Sequence, residues 1–252
     1  MDALAELKAG FQPILEKFLT TPAVSSILNQ TMSVPEYRAI MREVFHHTRE
    51  NPQLQALATV YFRGHQRELV KDFFKHAASE IGHDELALCD FQSLGGDATP
   101  LPYENPLPAT SGLLAYGFYQ IYNLNTLGYL GYLFFLEHMP TSQGSSAMDA
   151  LRAIGVPDTA MRFLQDHTTI DMGHNKMMER YANKLVHTQQ DVDCVVYSMR
   201  VTGELYAKMM EQAVADAQAP TVRGWNWEEL RADGLTPEEV LASKVVPLTG
   251  AV

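Results

Sequence analysis

His167, Asp171 and His174 lie four and then three residues apart in the stretch FLQDHTTIDMGHNKMMER. Residues at those separations share one face of an α-helix. A single face would therefore present imidazole, carboxylate and imidazole in a row. Leu164 and Met178 continue that face, so it reads as an apolar stripe interrupted by polar groups, not as a solvated surface. Burying such a face without a partner is costly, and a divalent metal is the partner that suits imidazoles beside a carboxylate. The stretch calls for an inward-packed helix in a fold whose other helices bring further ligands to it.

The remainder of the chain has the periodicity to supply those helices, with no convincing strand alternation. A first helix is expected over residues 2–19, closed before Pro22. Ser33 reads as the N-cap of the next, with Pro35 in its first turn, and Asn51-Pro52 as its stop. Helical runs follow over residues 53–64 and 66–93, the second ended by Gly95-Gly96. A Pro-rich loop at residues 99–110 leads into an apolar central helix over 111–138, stopped at Pro140. A short helix over 146–154 precedes the ligand helix, which Pro157 opens and which runs to about Val186; a last long helix covers 189–217. Thr236-Pro237-Glu238-Glu239 has the form of a capping box. The expected architecture is one all-α domain over residues 1–252, a bundle of seven to eight main helices, with residues 220–252 a tail packing on the body or on a partner subunit.

Composition narrows the function. The charge of −11 argues against nucleic acid, whose phosphates require clustered Lys and Arg. Cys89 and Cys194 alone make neither a disulfide framework nor a zinc-finger spacing, and read as buried thiols in a reducing compartment. The acidic, amphipathic N-terminus is unlike a secretory signal. Gln120, Asn123, Asn125 and Glu137 interrupt the apolar run from Leu113 to Met139, so a membrane span is not expected and the location expected is cytoplasmic.

Two further regions offer ligands. Glu80 and His83, three apart, share a stripe with Phe73, His76, Ala77 and Ala87 that is expected to turn inward. Glu137 follows Leu133, Phe134 and Leu136, a poor setting for a solvated carboxylate. With His167, Asp171 and His174 these make three carboxylates and three imidazoles. That is more than one zinc takes and suits two first-row metals with open positions.

The set Glu80-x2-His83, Glu137, His167-x3-Asp171-x2-His174 resembles that of the heme-oxygenase-like diiron oxidases and oxygenases, over residues of about 35–215. Some members space the first pair as Glu-x6-His; here that position is Ala87, and the chain is similar to the close-pair branch, which includes a fatty-acid decarboxylase. The resemblance implies that Glu80, His83, Glu137, His167, Asp171 and His174 hold two iron ions, with Glu80, Glu137 and Asp171 as the anionic ligands at the reacting centre and O₂ as co-substrate. It also implies a homodimer and leaves room for an external electron donor. Gln120, Asn123 and Asn125 amid aromatics suggest a pocket with polar anchors. The expected substrate is therefore a small amino-acid-derived molecule of a biosynthetic pathway, undergoing N-oxygenation, C–C cleavage or a related rearrangement, with a fatty acid as the alternative.

Rival readings remain open at this point. Glu43, His46, His47 and Glu50 also have ligand spacing, but His46-His47 points two ways on a helix, and the cluster reads as surface or supporting polar structure, as do His65 and His76. His76 shares the face of Glu80 and could support a ligand. The same fold hosts heme oxygenases, for which His46 or His47 could serve, metal-free thiamin-salvage hydrolases that use a cysteine with paired glutamates, and non-catalytic binding proteins. The crowded tyrosines 116, 119, 122, 129 and 132 read as core packing, Arg200–Glu204 as a helix salt bridge, and Trp225 and Trp227 as anchors of the tail or of a subunit interface.

Overall fold

Asp2 accepts a hydrogen bond from the Ala5 backbone and opens α1 (Ala3–Leu19), whose Leu7, Phe11, Leu15 and Phe18 form the buried stripe. The structure is a computed structural model; it describes residues 2–243, and of residues 169–172 the backbone alone. After α1 come α2 (Pro22–Leu28), α3 (Val34–Ala58), α4 (Val70–Glu80), α5 (His83–Ser93), α6 (Pro108–Asn123), α7 (Tyr129–Ala153), α8 (Arg162–Leu185), α9 (Gln189–Gln218), α10 (Trp227–Asp233) and α11 (Pro237–Ala242). Among the described residues there is no strand, and the fold is all-α.

Helix α9 packs against α1, α3, α6 and α7, while α7 lies along α8 and α3 along α4 and α5. Gly131 permits a close approach of α7 to α9: a Cβ there would collide with the Val195 carbonyl oxygen. Capping boxes at Ser33–Glu36, Thr188–Asp191 and Thr236–Glu239 start α3, α9 and α11, each satisfying backbone N–H groups that a helix start leaves without partners.

The helix boundaries depart from the sequence expectation where prolines and small residues sit. Helix α3 runs through Pro52 to Ala58, and α7 runs through Pro140 and absorbs the helix expected over 146–154. A proline inside a helix costs about 3 kcal/mol, but Leu54, Gln55 and Ala58 beyond Pro52 are buried, and that packing holds the helix on. The central helix is instead cut between Asn123 and Tyr129. Here the Gln120 side chain donates to the Asn125 carbonyl at 2.6 Å and Asn125 accepts from the Leu127 N–H at 3.1 Å, local bonds that replace the helical ladder. Pro22 begins an additional helix, α2.

The chain after α9 folds back on the body. Asn226 N–H donates to the Tyr103 carbonyl and Asn105 N–H to the Gly224 carbonyl, at 2.7 and 2.8 Å. Tyr103, Leu230 and Val240 form a second small apolar cluster against which Trp225 packs, while Trp227 is exposed.

Candidate metal centre

Glu80 is the last residue of α4 and His83 the first of α5. The pair does not share one continuous helix, as its spacing suggested. Gly82 lies between them at φ +100°, a backbone that L side chains rarely adopt, and this turn points both side chains inward. Glu80 and His83 are buried, as are Glu137 of α7 and His174 of α8, and His167 of α8 is half-buried.

These residues form two overlapping groups. His76, Glu80, Glu137 and His174 make one, and Glu80, His83 and His167 the other; within each, one donor atom per residue lies within 4.8 Å of the others. Glu80 belongs to both. His76 Nε2 stands 2.9 Å from Glu137 and 3.6 Å from Glu80, and His174 Nδ1 stands 3.1 and 3.4 Å from the same two carboxylates. His83 Nδ1 is 3.1 Å from the second oxygen of Glu80, and its Nε2 is 3.5 Å from Asp166. Asp171 lies in α8 between His167 and His174, but its side chain is outside the described residues.

The hydrogen bonds around the imidazoles orient their lone pairs. His167 Nδ1 donates to the Phe163 carbonyl at 2.8 Å, which leaves Nε2 unprotonated in the neutral ring. Ser79 donates its hydroxyl proton to the His76 carbonyl at 2.8 Å, so toward His174 Nε2 at 3.3 Å it acts as acceptor. His174 Nδ1 faces two carboxylates. At that range a ring nitrogen and a carboxylate oxygen share either a proton or a cation. The Glu80 Oε1 atom, buried and without a hydrogen-bond partner, points to the same need. A divalent cation meets both conditions, so the donor set fits a metal.

The electrostatics follow from burial opposed by close partners. Burial alone would raise the Glu137 carboxyl, but His174 and His76 outweigh it and hold the group well below the usual carboxylate range. For His83, burial lowers and the Glu80 and Asp166 carboxylates raise; the carboxylates prevail, and its pKa lies above the ordinary value. Burial and the neighbouring His83 push His167 down.

Asp90 of α5 positions the ligand helix. Its carboxylate accepts the backbone N–H groups of Arg162 and Phe163 at 3.0 and 2.9 Å, capping a helix whose own N-cap residue, Met161, makes no side-chain cap. Sequence spacing offered no sign of this role, since Asp90 is more than seventy residues from the helix it caps.

Other expectations fall differently. His76, read as supporting polar structure, is fully buried within the first donor group, because the turn of α4 beneath Glu80 faces α7 and α8. Glu43, His46 and His47 are not at the surface. Glu43 pairs with Arg223 and accepts from Leu107 N–H and Thr110, Glu104 pairs with Arg42 and His46, and Asp216 pairs with Arg223 at 3.0 Å. This network ties the chain after α9 to α3. His47 Nε2 is bonded to Tyr132 at 2.7 Å, and burial lowers its pKa to about 3. His65 is exposed. Tyr129 and Tyr132 are core, Tyr119 and Tyr122 are exposed, and Glu204 pairs with Lys17 while Arg200 lies over the Tyr197 ring. Cys89 and Cys194 are only half-buried, and neither belongs to the donor groups.

The model of a family described as iron-containing redox enzymes matches residues 38–207. This chain belongs to that family. The matched span of the iron-containing redox enzymes holds His76, Glu80, His83, Glu137, His167 and His174. Among solved structures, a domain of unknown function with a heme oxygenase-like fold from Shewanella denitrificans is similar at 26% identity and a TM-score of 0.77, covering 85% of this chain and 93% of that one. A TenA homologue from P. horikoshii (12% identity, TM-score 0.66, covering 84% and 98%) and another from Pseudomonas syringae (10%, 0.69, 84% and 93%) share the fold. A search of curated protein sequences found no match.

A cavity of about 70 Å³ opens on the donor groups, lined by Glu80, Glu137 and His167 together with Leu133, Leu136 and Phe163. Met139, Pro140, Phe163, Leu164 and Tyr206 line both this cavity and a second one of about 90 Å³, whose other walls include Ile27, Ile40, Val44 and Leu151. Gln120, Asn123 and Asn125 line neither cavity. The polar groups of Gln120 and Asn125 serve the turn that cuts α6 from α7, and Asn123 is exposed.

Proposed function

We propose that the chain is a non-heme diiron oxidase or oxygenase using O₂ as co-substrate. The observation that carries the reading is that Glu80 belongs to two donor groups at once, the disposition a carboxylate shared by two metals requires. His76, Glu80, Glu137 and His174 would hold one iron; Glu80, His83 and His167 would hold the other, with Asp171 the further ligand expected from the sequence. Bound iron would supply the reduction of O₂. The protein's part is to present unprotonated imidazole nitrogens, through the Phe163 carbonyl behind His167 and Ser79 behind His174, and to keep water away with Leu133, Leu136 and Phe163.

The cavity walls favour a substrate with an apolar body. The polar anchors that suggested an amino-acid-derived substrate lie elsewhere, so the fatty-acid alternative, oxidation of an apolar acid, is the reading the site supports better. Neither cysteine lines the cavity, which disfavours a cysteine-dependent hydrolase at this position. The test is iron content after anaerobic Fe(II) loading, followed by O₂ uptake. About two irons per chain are expected, about one in His167→Ala and close to none in Glu80→Ala. A wild-type chain that retains no iron, or iron that consumes no O₂, would refute the proposal.

A further inference from the structure

Helix α3 presents His47, Thr48, Asn51 and Gln55 to the cavity shared with Glu80, Glu137 and His167. Three of them are already engaged. The Thr48 hydroxyl donates to the Val44 carbonyl at 2.7 Å. His47 Nε2 lies 2.7 Å from the Tyr132 hydroxyl, which donates to Asn51 Oδ1 at 3.0 Å. Since that hydroxyl gives its one proton to Asn51, it accepts from His47, and the three side chains form one line of hydrogen bonds.

Gln55 is the exception. It is 1% exposed, and its Nε2 is buried with no hydrogen-bond partner. Buried amide donors are rarely left so. A metal would not satisfy it, because an amide nitrogen donates through its protons and has no lone pair free for coordination. The missing partner is an acceptor oxygen, and the cavity that Gln55 lines shares Met139, Pro140, Phe163, Leu164 and Tyr206 as walls with an apolar one.

We propose that Gln55 determines head-group specificity: its amide N–H donates to a carbonyl or carboxylate oxygen of a substrate whose apolar body extends past Phe163 and Leu164 into the adjoining cavity. The assignment rests on the proposed oxidase reading for the meaning of "substrate", and names the end of the molecule that faces α3. A hydroxyl-poor, amine-headed molecule offers no acceptor and gains nothing from this contact.

The test is calorimetric titration of octanoate and of octylammonium, the same chain with opposite heads, into the iron-loaded protein under anaerobic conditions. Octanoate is expected to bind wild type at least about tenfold more tightly than Gln55→Leu, about 1.4 kcal/mol. Gln55→Glu, which replaces the donor by a carboxylate, is expected to bind octanoate more weakly still at pH 8. Octylammonium is expected to show no dependence on Gln55. Gln55→Met repeats the comparison should the leucine variant not fold. Equal octanoate affinity in wild type and variants, no octanoate binding at all, or a Gln55-dependent preference for octylammonium would overturn the proposal. Iron content is read on the same samples. Should wild type hold no iron, the oxidase reading fails, while Gln55-dependent octanoate binding in that same protein would still uphold the anchor.

Discussion

Replacing Asp90 by Ala should loosen the ligand helix from its far end. The carboxylate accepts two backbone N–H groups at the start of α8, one of them, that of Phe163, buried. Removing both acceptors leaves those donors without partners, at about 1–3 kcal/mol for a buried one and less for a half-exposed one, so a loss of about 2–4 kcal/mol is expected. At about 2–4 °C per kcal/mol for a chain of this size, the melting temperature should fall by roughly 5–15 °C. Charge opposes the cap in part, because burial raises the Asp90 pKa to about 6 from 3.8. The folded state therefore binds the proton more tightly than the unfolded one. Stability from this group is greatest below pH 3.8 and declines as pH rises to 6, by at most about 3 kcal/mol. Asp90→Asn removes that pH dependence and keeps one acceptor, so it should cost less than Asp90→Ala at pH 8. Urea unfolding at pH 5 and pH 8 reads both effects. An Asp90→Ala variant within about 0.5 kcal/mol of wild type at both pH values would refute the capping argument.

Gly82→Ala, at φ +100° with open space for the methyl group, should cost about 1–2 kcal/mol in urea unfolding, as backbone strain. His76→Ala should lower iron content as much as His174→Ala does, whereas a residue merely supporting a ligand would lower it less. Arg223→Met strands Glu43 in the interior and should destabilise by about 3–5 kcal/mol, with protease cleavage appearing first between residues 219 and 243. Gly131→Ala places a methyl group against the Val195 carbonyl, so poor folding is expected and is checked by circular dichroism and yield.

The comparison of sequence with structure divides by the range of the forces involved. His167 and His174 were readable as inward-facing because a helix repeats every few residues, and their spacing alone puts them on one face. Glu137 was readable from its apolar company. Asp171 is expected from the same periodicity, and its side chain lies outside the described residues.

Other residues took their roles from partners distant in sequence. His76 became part of the donor set only when α4 met α7 and α8, and Asp90 became a cap only when α5 met α8. Pro52 and Pro140 read as stops because their local cost is real, yet long-range packing outweighs it. Glu43 reads as surface or supporting polar structure because Arg223, which neutralises it, is supplied from 180 residues further along the chain. Periodicity and capping, being local, were set by the sequence itself. Which buried charges find partners, and which donors such as Gln55 find none, was decided only when the helices packed, since burial turns a polar group's missing neighbour into a free-energy cost that solvent would otherwise erase.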